Sequence, residues 1–209
     1  MIIYQRDLVV KRKTVTRHNL RVITGGLDGS CTQASQSGAN FDQIVASELA
    51  ADGVLPSVAI PFAVAQNRLE SNNYTSNLFV NYNNLNGYKY VSGDQYQSGQ
   101  GPISPEKDYY AAYACIEDSA QEQSQWWARR AAGGFDLTTL TTPQAFVNEL
   151  AAVGWFTSSP NAYLSRLNSL LTLVNIQAST GVDTTGYTGQ YSSLIAMGLL
   201  FVGAYLVFD

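Results

Sequence analysis

The order of apolar and polar positions predicts a mainly α-helical domain over residues 40–175. Apolar side chains recur at helical spacing in residues 41–51, and Gly53 ends that run. Further runs have the same period, with proline or capping residues at their starts and glycine or asparagine near their ends. The predicted helices cover residues 41–51, 61–72 with a start as early as 57, 110–132, 143–153 and 160–174.

Residues 78–110 interrupt the helical pattern. They are rich in asparagine, glycine and tyrosine and have no helical period, so they predict loops with a short hairpin. The expected fold class is therefore mainly α, of the α+β kind, in which a helical domain carries a small loop or hairpin lobe.

Residues 1–39 predict a basic arm followed by a loop. Residues 1–25 hold six basic residues and one acidic residue, whereas the rest of the chain holds six basic and fifteen acidic residues. Charges break up the apolar pieces of the arm, which therefore lacks the order of a signal peptide. A solvated tail or an edge strand explains the charge, and contact with lipid headgroups or an acidic capsid protein is the functional alternative. Without interleaved aromatic rings, the arm gives no case for specific nucleic-acid recognition.

The carboxy-terminal region predicts a linker and an apolar helix. Residues 176–191 are rich in glycine, serine and threonine, as flexible linkers are. Residues 192–208 contain no charged side chain, and as a helix they would be roughly 25 Å long, near the short limit for crossing a bilayer. A membrane-spanning helix is favoured over a buried core helix, because Gly198, Gly203 and Ala204 suit close helix contacts in lipid.

Cysteine and histidine usage restricts the possible sites. His18 is the single histidine, which excludes a multi-histidine metal centre, and no cofactor is predicted. Cys31 and Cys115 are too few for a disulfide scaffold, but they could form one bridge or remain as two buried thiols.

Glu70 is the candidate acid because it closes an apolar helical run. Asn72 and Asn73 end the helix just after it, so Glu70 lies at the negative pole of the helix dipole, which disfavours its charge by about 0.3–1 kcal/mol. Apolar neighbours such as Leu69 add a desolvation cost of the same sign. A carboxyl group that keeps its proton can protonate the leaving oxygen of a glycosidic bond. The alternative is a surface glutamate at a frayed helix end.

Four stretches, in order, resemble the glucosaminidase family of bacterial cell-wall hydrolases, glycoside hydrolase family 73. The first stretch matches the family's A-Q-x-x-L-E-S-G-W-G-x-S motif, and the second matches N-N-L-F-G-I-K. The third and fourth, residues 109–127 and 149–167, resemble the family's F-R-x-Y and A-G-Y-A-T-D-P stretches. Matching residues are Ala65, Gln66, Leu69, Glu70, Ser71, Ser76, Asn83, Asn84, Leu85, Gly87, Lys89, Tyr110, Tyr113, Glu117 and Ser119.

The resemblance covers residues 40–170 and implies a lysozyme-like fold with Glu70 as proton donor. Asn72, Asn73 and Tyr74 replace the family's Gly-Trp-Gly, so the turn after the acid must be built differently. The family's second acid has Asp94 and Glu106 as candidates, unless the enzyme works with one acid. Candidates for stacking on the sugar or for N-acetyl contacts are Tyr88, Tyr96, Tyr113 and Trp155, and Asn83 and Asn84 could bond to sugar or form the turn.

The function expected from this resemblance is hydrolysis of peptidoglycan between N-acetylglucosamine and N-acetylmuramic acid. A lytic transglycosylase, or an inactive structural or sugar-binding virion protein, is the alternative. A wall hydrolase with a carboxy-terminal anchor suits a phage, either in a virion with an internal membrane or at the host membrane during lysis.

Overall fold

The computed structural model describes residues 29–176, which form a mainly α-helical fold with one two-stranded sheet. The prediction of a mainly α protein with a small hairpin is therefore confirmed. The elements are α1 (Phe41–Asp52), α2 (Ile60–Glu70), α3 (Asn77–Tyr82), β1 (Gln97–Ile103), β2 (Tyr109–Tyr113), α4 (Ile116–Ala132), α5 (Pro143–Ala152) and α6 (Pro160–Leu171). The basic arm up to residue 28, the linker from residue 177 and the apolar segment 192–208 lie outside the described residues.

Capping residues explain where several helices begin. Ser76, Thr142 and Ser159 each accept a hydrogen bond from a backbone N–H in the first turn of the helix that follows. Proline at the first position of α5 and α6 strengthens both starts, as the sequence predicted.

One predicted helix is wrong over its first part. The sequence predicts a helix over residues 110–132. In the structure, residues 109–113 form strand β2, and the helix begins only at Ile116. The extended backbone of Cys115 separates the two elements, and β2 pairs antiparallel with β1. Pairing with the neighbouring strand of the hairpin therefore overrides the helical pattern here. Helix α3 was not predicted, because the asparagines of residues 77–82 suggested a loop.

Helix α2 lies at the centre of the core. Its first eight residues, 60–67, are all buried, and it packs against α1 and α6. Phe62 contacts Phe146 at a ring-centroid distance of 5.9 Å, and Phe146 in turn contacts Trp127 at 5.1 Å. Because α2 is buried up to its last turn, Glu70 is carried from the core to the surface on a fixed helix.

Two buried amide contacts fix α2 against α4. Asn67 Nδ2 donates to Gln123 Oε1 at 3.0 Å, and Gln123 Nε2 donates to Gln66 Oε1 at 3.2 Å. Buried amides need such partners, since an unpaired one costs about 1–3 kcal/mol. The last turn of α2 therefore has a specified rotation relative to α4.

Cys31 and Cys115 form a disulfide, which decides between the two alternatives left open by the sequence. Their Cα atoms are 5.1 Å apart, and the bridge closes a loop over a separation of 84 residues. Beside it, Thr32 donates to the Glu117 carboxylate through its backbone N–H, at 2.9 Å, and through its hydroxyl, at 2.7 Å. These contacts attach the segment before α1 to the start of α4.

Between residues 29 and 176, no helix has both the length and the apolar character needed to cross a bilayer.

Candidate functional site

Glu70 lies in an open pocket of about 320 Å³ at the carboxyl end of α2. The walls come from the segment after α5 and from the first half of α6. The residues that line the pocket are Leu69, Glu70, Trp155, Phe156, Thr157, Ser158, Tyr163 and Arg166. The pocket thus combines one carboxyl group with three aromatic rings and one cation.

Tyr163 holds the Glu70 carboxyl group in place. Its hydroxyl donates to Glu70 Oε1 at 2.7 Å, across 93 residues of sequence. The Tyr163 ring is itself buried and stacks on Phe156, with ring centroids 4.0 Å apart and planes 12° apart. Packing therefore fixes the donor before any ligand binds.

The surroundings of Glu70 raise the pKa of its carboxyl group above the ordinary value. Burial of the carboxyl group is the largest cause, and it outweighs the hydrogen bonds from Tyr163 and Trp155 and the charge of Arg166, which lower the pKa. The pocket is open, and Glu70 as a whole residue is exposed. Its carboxyl group is therefore accessible to solvent and to a ligand. No ion pair joins Arg166 to Glu70 within the described part of the chain.

Replacing Tyr163 by phenylalanine is expected to raise the pKa of Glu70 further. The hydroxyl of Tyr163 stabilises the ionised carboxylate, and its removal leaves burial less opposed. The midpoint of the Glu70 titration is therefore expected to move upward relative to the wild type. Carbon-13 NMR titration of the glutamate carboxyl groups measures this, and an unchanged or lowered midpoint would contradict the described contact.

Three consecutive non-glycine residues with positive φ form the turn after Glu70. Asn72, Asn73 and Tyr74 have φ values of 51°, 58° and 65°. Asparagine tolerates this region better than most residues, but tyrosine does not. Arg68 donates to Asn73 Oδ1 at 2.5 Å, and the backbone N–H of Tyr74 donates to Ser71 Oγ at 2.9 Å. Side-chain contacts therefore hold this turn, at the position where the resemblance led us to expect Gly-Trp-Gly.

The buried carboxylate of Asp42, on α1, anchors that turn. It accepts from Arg68 Nε at 2.9 Å and from the Tyr74 hydroxyl at 2.8 Å. The backbone N–H of Asn175 donates to its other oxygen at 2.7 Å. Positive-φ residues are retained only where the surroundings hold them, and such strain is frequent at functional sites.

Asn83 and Asn84 use their side chains on the protein itself. The Asn83 side chain accepts from the backbone N–H of Ala34 at 2.8 Å and donates to the carbonyl of Tyr113 at 3.0 Å. Asn84 donates to the carbonyls of Tyr88 and Ala111, at 3.0 and 2.9 Å. Both side chains are buried. These contacts favour the turn-forming role over sugar binding.

The four predicted aromatic residues lie in one cluster that reaches the pocket at Trp155. Tyr88 meets Trp155 edge to face at 5.8 Å, and Tyr113 packs against Tyr88. Tyr96 lies at the margin of the same cluster. Trp155 alone among the four lines the pocket of Glu70, so it is the best placed for a sugar ring.

Neither predicted second acid lines the Glu70 pocket. Asp94 accepts from the backbone N–H of Tyr96 at 2.9 Å. Glu106 is exposed and pairs with Lys89 at 2.8 Å, and the hydrogen bond from Lys89 is the largest cause that lowers its pKa to about 2. At neutral pH Glu106 has no proton to donate. A catalytic role for either residue stays a prediction.

Sequence reasoning missed Phe156, Tyr163 and Arg166 among the residues of the pocket, and it missed the buried acid Glu122. Tyr163 lies in the predicted helix 160–174, and its hydroxyl gave no local sign of a partner on α2. Glu122 lies within α4, where its neighbours are mostly polar and no pattern marks it as buried.

No group of three or more potential metal ligands occurs within residues 29–176. Comparisons of the chain with protein-family models, with curated proteins and with solved structures gave no match.

Proposed function

We propose that this protein cleaves the glycan strand of peptidoglycan between N-acetylglucosamine and N-acetylmuramic acid, with Glu70 as the general acid. The observation that carries the proposal is the carboxyl group in the aromatic pocket, whose pKa is raised above its ordinary value by burial. Carbohydrate sites combine such an acid with rings on which a sugar can stack.

The positions of the motifs also support this function. The stretch 65–76 provides Glu70, and the stretch 149–167 provides Trp155 and Tyr163, so two of the four family-like stretches meet in one pocket. The lysozyme-like fold belongs to the same proposal, since it rests on the resemblance together with the helical core and hairpin.

The chemistry begins with proton transfer from Glu70 to the glycosidic oxygen. The bond between that oxygen and the anomeric carbon breaks, and its electron pair goes to the oxygen. In hydrolysis, water then adds to the anomeric carbon and returns a proton to the Glu70 carboxylate. Burial favours the protonated acid in the first step, and the hydrogen bond from Tyr163 stabilises the carboxylate that forms.

A lytic transglycosylase is the second candidate, because Glu70 is the only carboxyl group among the described residues that line the pocket. In that reaction the C6 hydroxyl of the muramic acid residue attacks its own anomeric carbon and gives its proton to Glu70. One acid/base therefore suffices, and the product carries a 1,6-anhydro ring.

Digestion of purified peptidoglycan by the full chain tests both candidates. Mass spectrometry of the released fragments is expected to show new reducing ends for a hydrolase or 1,6-anhydro ends for a transglycosylase. The identity of the sugar at the new end, N-acetylglucosamine or N-acetylmuramic acid, would show which of the two glycosidic bonds of the strand is cut. Binding to the wall without fragment release would instead favour an inactive sugar-binding virion protein.

The proposed place of action is a phage membrane or the host membrane, reached through residues 192–208, with the basic arm on lipid headgroups or capsid protein. The disulfide supports action outside a reducing cytoplasm, where such bonds persist. Fractionation of the full chain tests the anchor, because a membrane-spanning helix requires detergent for extraction.

A further inference from the structure

Glu122 fastens the base of the β-hairpin to helix α4. Its carboxylate accepts from Gln97 Nε2 at both oxygens, at 3.2 and 3.1 Å, and from the Tyr113 hydroxyl. Gln97 and Tyr113 face each other at the open end of the β1–β2 pair. The Glu122 side chain is buried, so these protein donors replace most of its water.

The same contacts extend to the loop before the hairpin. Gln97 Nε2 also donates to the carbonyl of Lys89 at 3.1 Å, and Gln97 Oε1 accepts from the backbone N–H of Val91 at 2.7 Å. One carboxylate therefore organises both strands and the loop that leads into them.

A short path of contacts leads from the hairpin to the pocket of Glu70. The backbone N–H of Ala111, on β2, donates to the carbonyl of Tyr88 at 2.8 Å. The Tyr88 ring meets Trp155 at 5.8 Å, and Trp155 forms a wall of the pocket. Trp126, on α4, supports the other side of Trp155 at 4.9 Å. A displacement of the hairpin would therefore reach Trp155 through Tyr88.

We propose that Glu122 is a positioning residue for the Glu70 site, holding the hairpin and hence the Tyr88–Trp155 wall in place while it is ionised. The inference rests on the proposed function and assigns to this site a pH dependence that Glu70 alone would not give. Loss of charge on Glu122 turns one carboxylate oxygen into a hydroxyl, which is a donor and a weaker acceptor, and the neutral group holds Gln97 and Tyr113 less strongly than the carboxylate does.

The charged and titratable groups around Glu122 act on the pKa of its carboxyl group in both directions. Its pKa is raised, first by burial, against the hydrogen bonds from Tyr113 and Gln97, which lower it. The charge of Asp94 raises the pKa, and that of Arg129 lowers it. Tyr88 and Tyr113 also face Glu122, and both have pKa values raised by burial first and by its charge second. Glu122 thus loses its charge at a higher pH than an ordinary glutamate.

The pH–activity profile should therefore fall on both sides, for two different reasons. Glu70 must be protonated to act, so activity falls as pH rises through its pKa. Glu122 must be ionised to hold the hairpin, so activity falls as pH decreases through its pKa. At every pH, Glu122→Gln is expected to behave like wild-type protein in which Glu122 is protonated. Its KM should be raised about tenfold or more, because the Tyr88–Trp155 wall is displaced. The fall in activity at acid pH is therefore absent from this variant, while the fall at alkaline pH remains.

Tryptophan fluorescence tests the positioning role of Glu122 without relying on activity. The three tryptophans of the chain are Trp126, Trp127 and Trp155, so a displaced wall changes the emission. Glu70 also titrates beside Trp155, so it is replaced in both proteins that are compared. The single variant Glu70→Gln is expected to show a change of tryptophan emission as the solution is acidified. The double variant Glu70→Gln with Glu122→Gln is expected to show none. Asp136→Asn, which removes an exposed carboxylate from a turn outside the hairpin, is the matched control and keeps the transition.

The outcomes separate this inference from the proposed function. A transition that persists in the double variant, or a fall in activity at acid pH that persists in Glu122→Gln, overturns the positioning role. If the fluorescence transition depends on Glu122 but the protein does not cleave peptidoglycan, the positioning role stands and the proposed reaction is refuted. If Glu122→Gln does not fold, Tyr113→Phe serves instead. Loss of its hydrogen bond to Glu122 should move the transition to higher pH, and an unmoved transition counts against the positioning role of Glu122.

Discussion

Glu70→Gln is expected to reduce the cleavage of purified peptidoglycan by about a thousandfold at neutral pH, because glutamine carries no acidic proton. General acid catalysis contributes about 10²–10⁴-fold to such reactions. The loss should appear in kcat with little change in KM, since the amide keeps the shape of the side chain and can still accept from Tyr163. Release of soluble muropeptides against time measures the rate.

Glu149→Gln is the matched control for this change. Glu149 pairs with Arg130 between α5 and α4 and does not line the pocket. The change replaces one carboxyl oxygen by an NH2 group, as it does in Glu70→Gln. Its activity is expected to stay within about twofold below its unfolding temperature, as for changes away from the reacting groups. Activity of Glu70→Gln close to that of wild type would refute Glu70 as the acid. A loss of similar size in Asp94→Asn or Glu106→Gln would show that a second acid acts.

The position of Glu70 could be predicted from sequence because its causes are local. Proline near the start of α2 and the asparagines after it define a helix whose last residue is Glu70. Helix polarity and apolar neighbours predicted a raised pKa, and burial is indeed the largest cause in the structure. Local rules are sufficient for the helix end, whereas the walls that bury the carboxyl group also come from residues 155–166, which are distant in the sequence.

The partner of Glu70 could not be predicted in the same way. Tyr163 lies 93 residues away, and only the packing of α2 against α6 brings the two side chains together. The strand Tyr109–Tyr113 was mistaken for helix for a related reason, because its partner strand lies across a turn. Glu122 shows the same limit, since its role depends on two strands that close over α4. Contacts between distant segments carry most of what the sequence did not reveal.

Reduction of the Cys31–Cys115 bridge is expected to lower the free energy of unfolding by about 4–5 kcal/mol, because an unbridged chain gains the conformational freedom of a long loop. The loop spans a separation of 84 residues, from before α1 to the start of α4, so the bridge constrains much of the domain in the unfolded state. Urea unfolding with and without a reducing agent measures the change, which corresponds to roughly 10–20 °C in melting temperature for a domain of this size.

The double variant Cys31→Ser with Cys115→Ser separates the bridge from other effects of the reductant. It should unfold like the reduced wild type and should not respond to reductant. Since Cys115 is fully buried and Cys31 is exposed, Cys31→Ser alone is the milder way to remove the bridge. Unfolding curves that coincide in oxidised and reduced protein would mean that the bridge does not form in solution.

Activity should be less sensitive to reduction than stability, as long as the folded state is populated. The contacts of Thr32 with Glu117 lie beside the bridge and persist without it, and the Glu70 pocket is built from α2, α6 and the segment between α5 and α6. Reduced protein assayed well below its melting temperature is therefore expected to keep most of its cleavage rate. The protein is expected to be less stable under reducing conditions and more stable after oxidation, which fits the proposed action outside the cytoplasm. A loss of activity that precedes unfolding would instead show that the bridge positions the site directly.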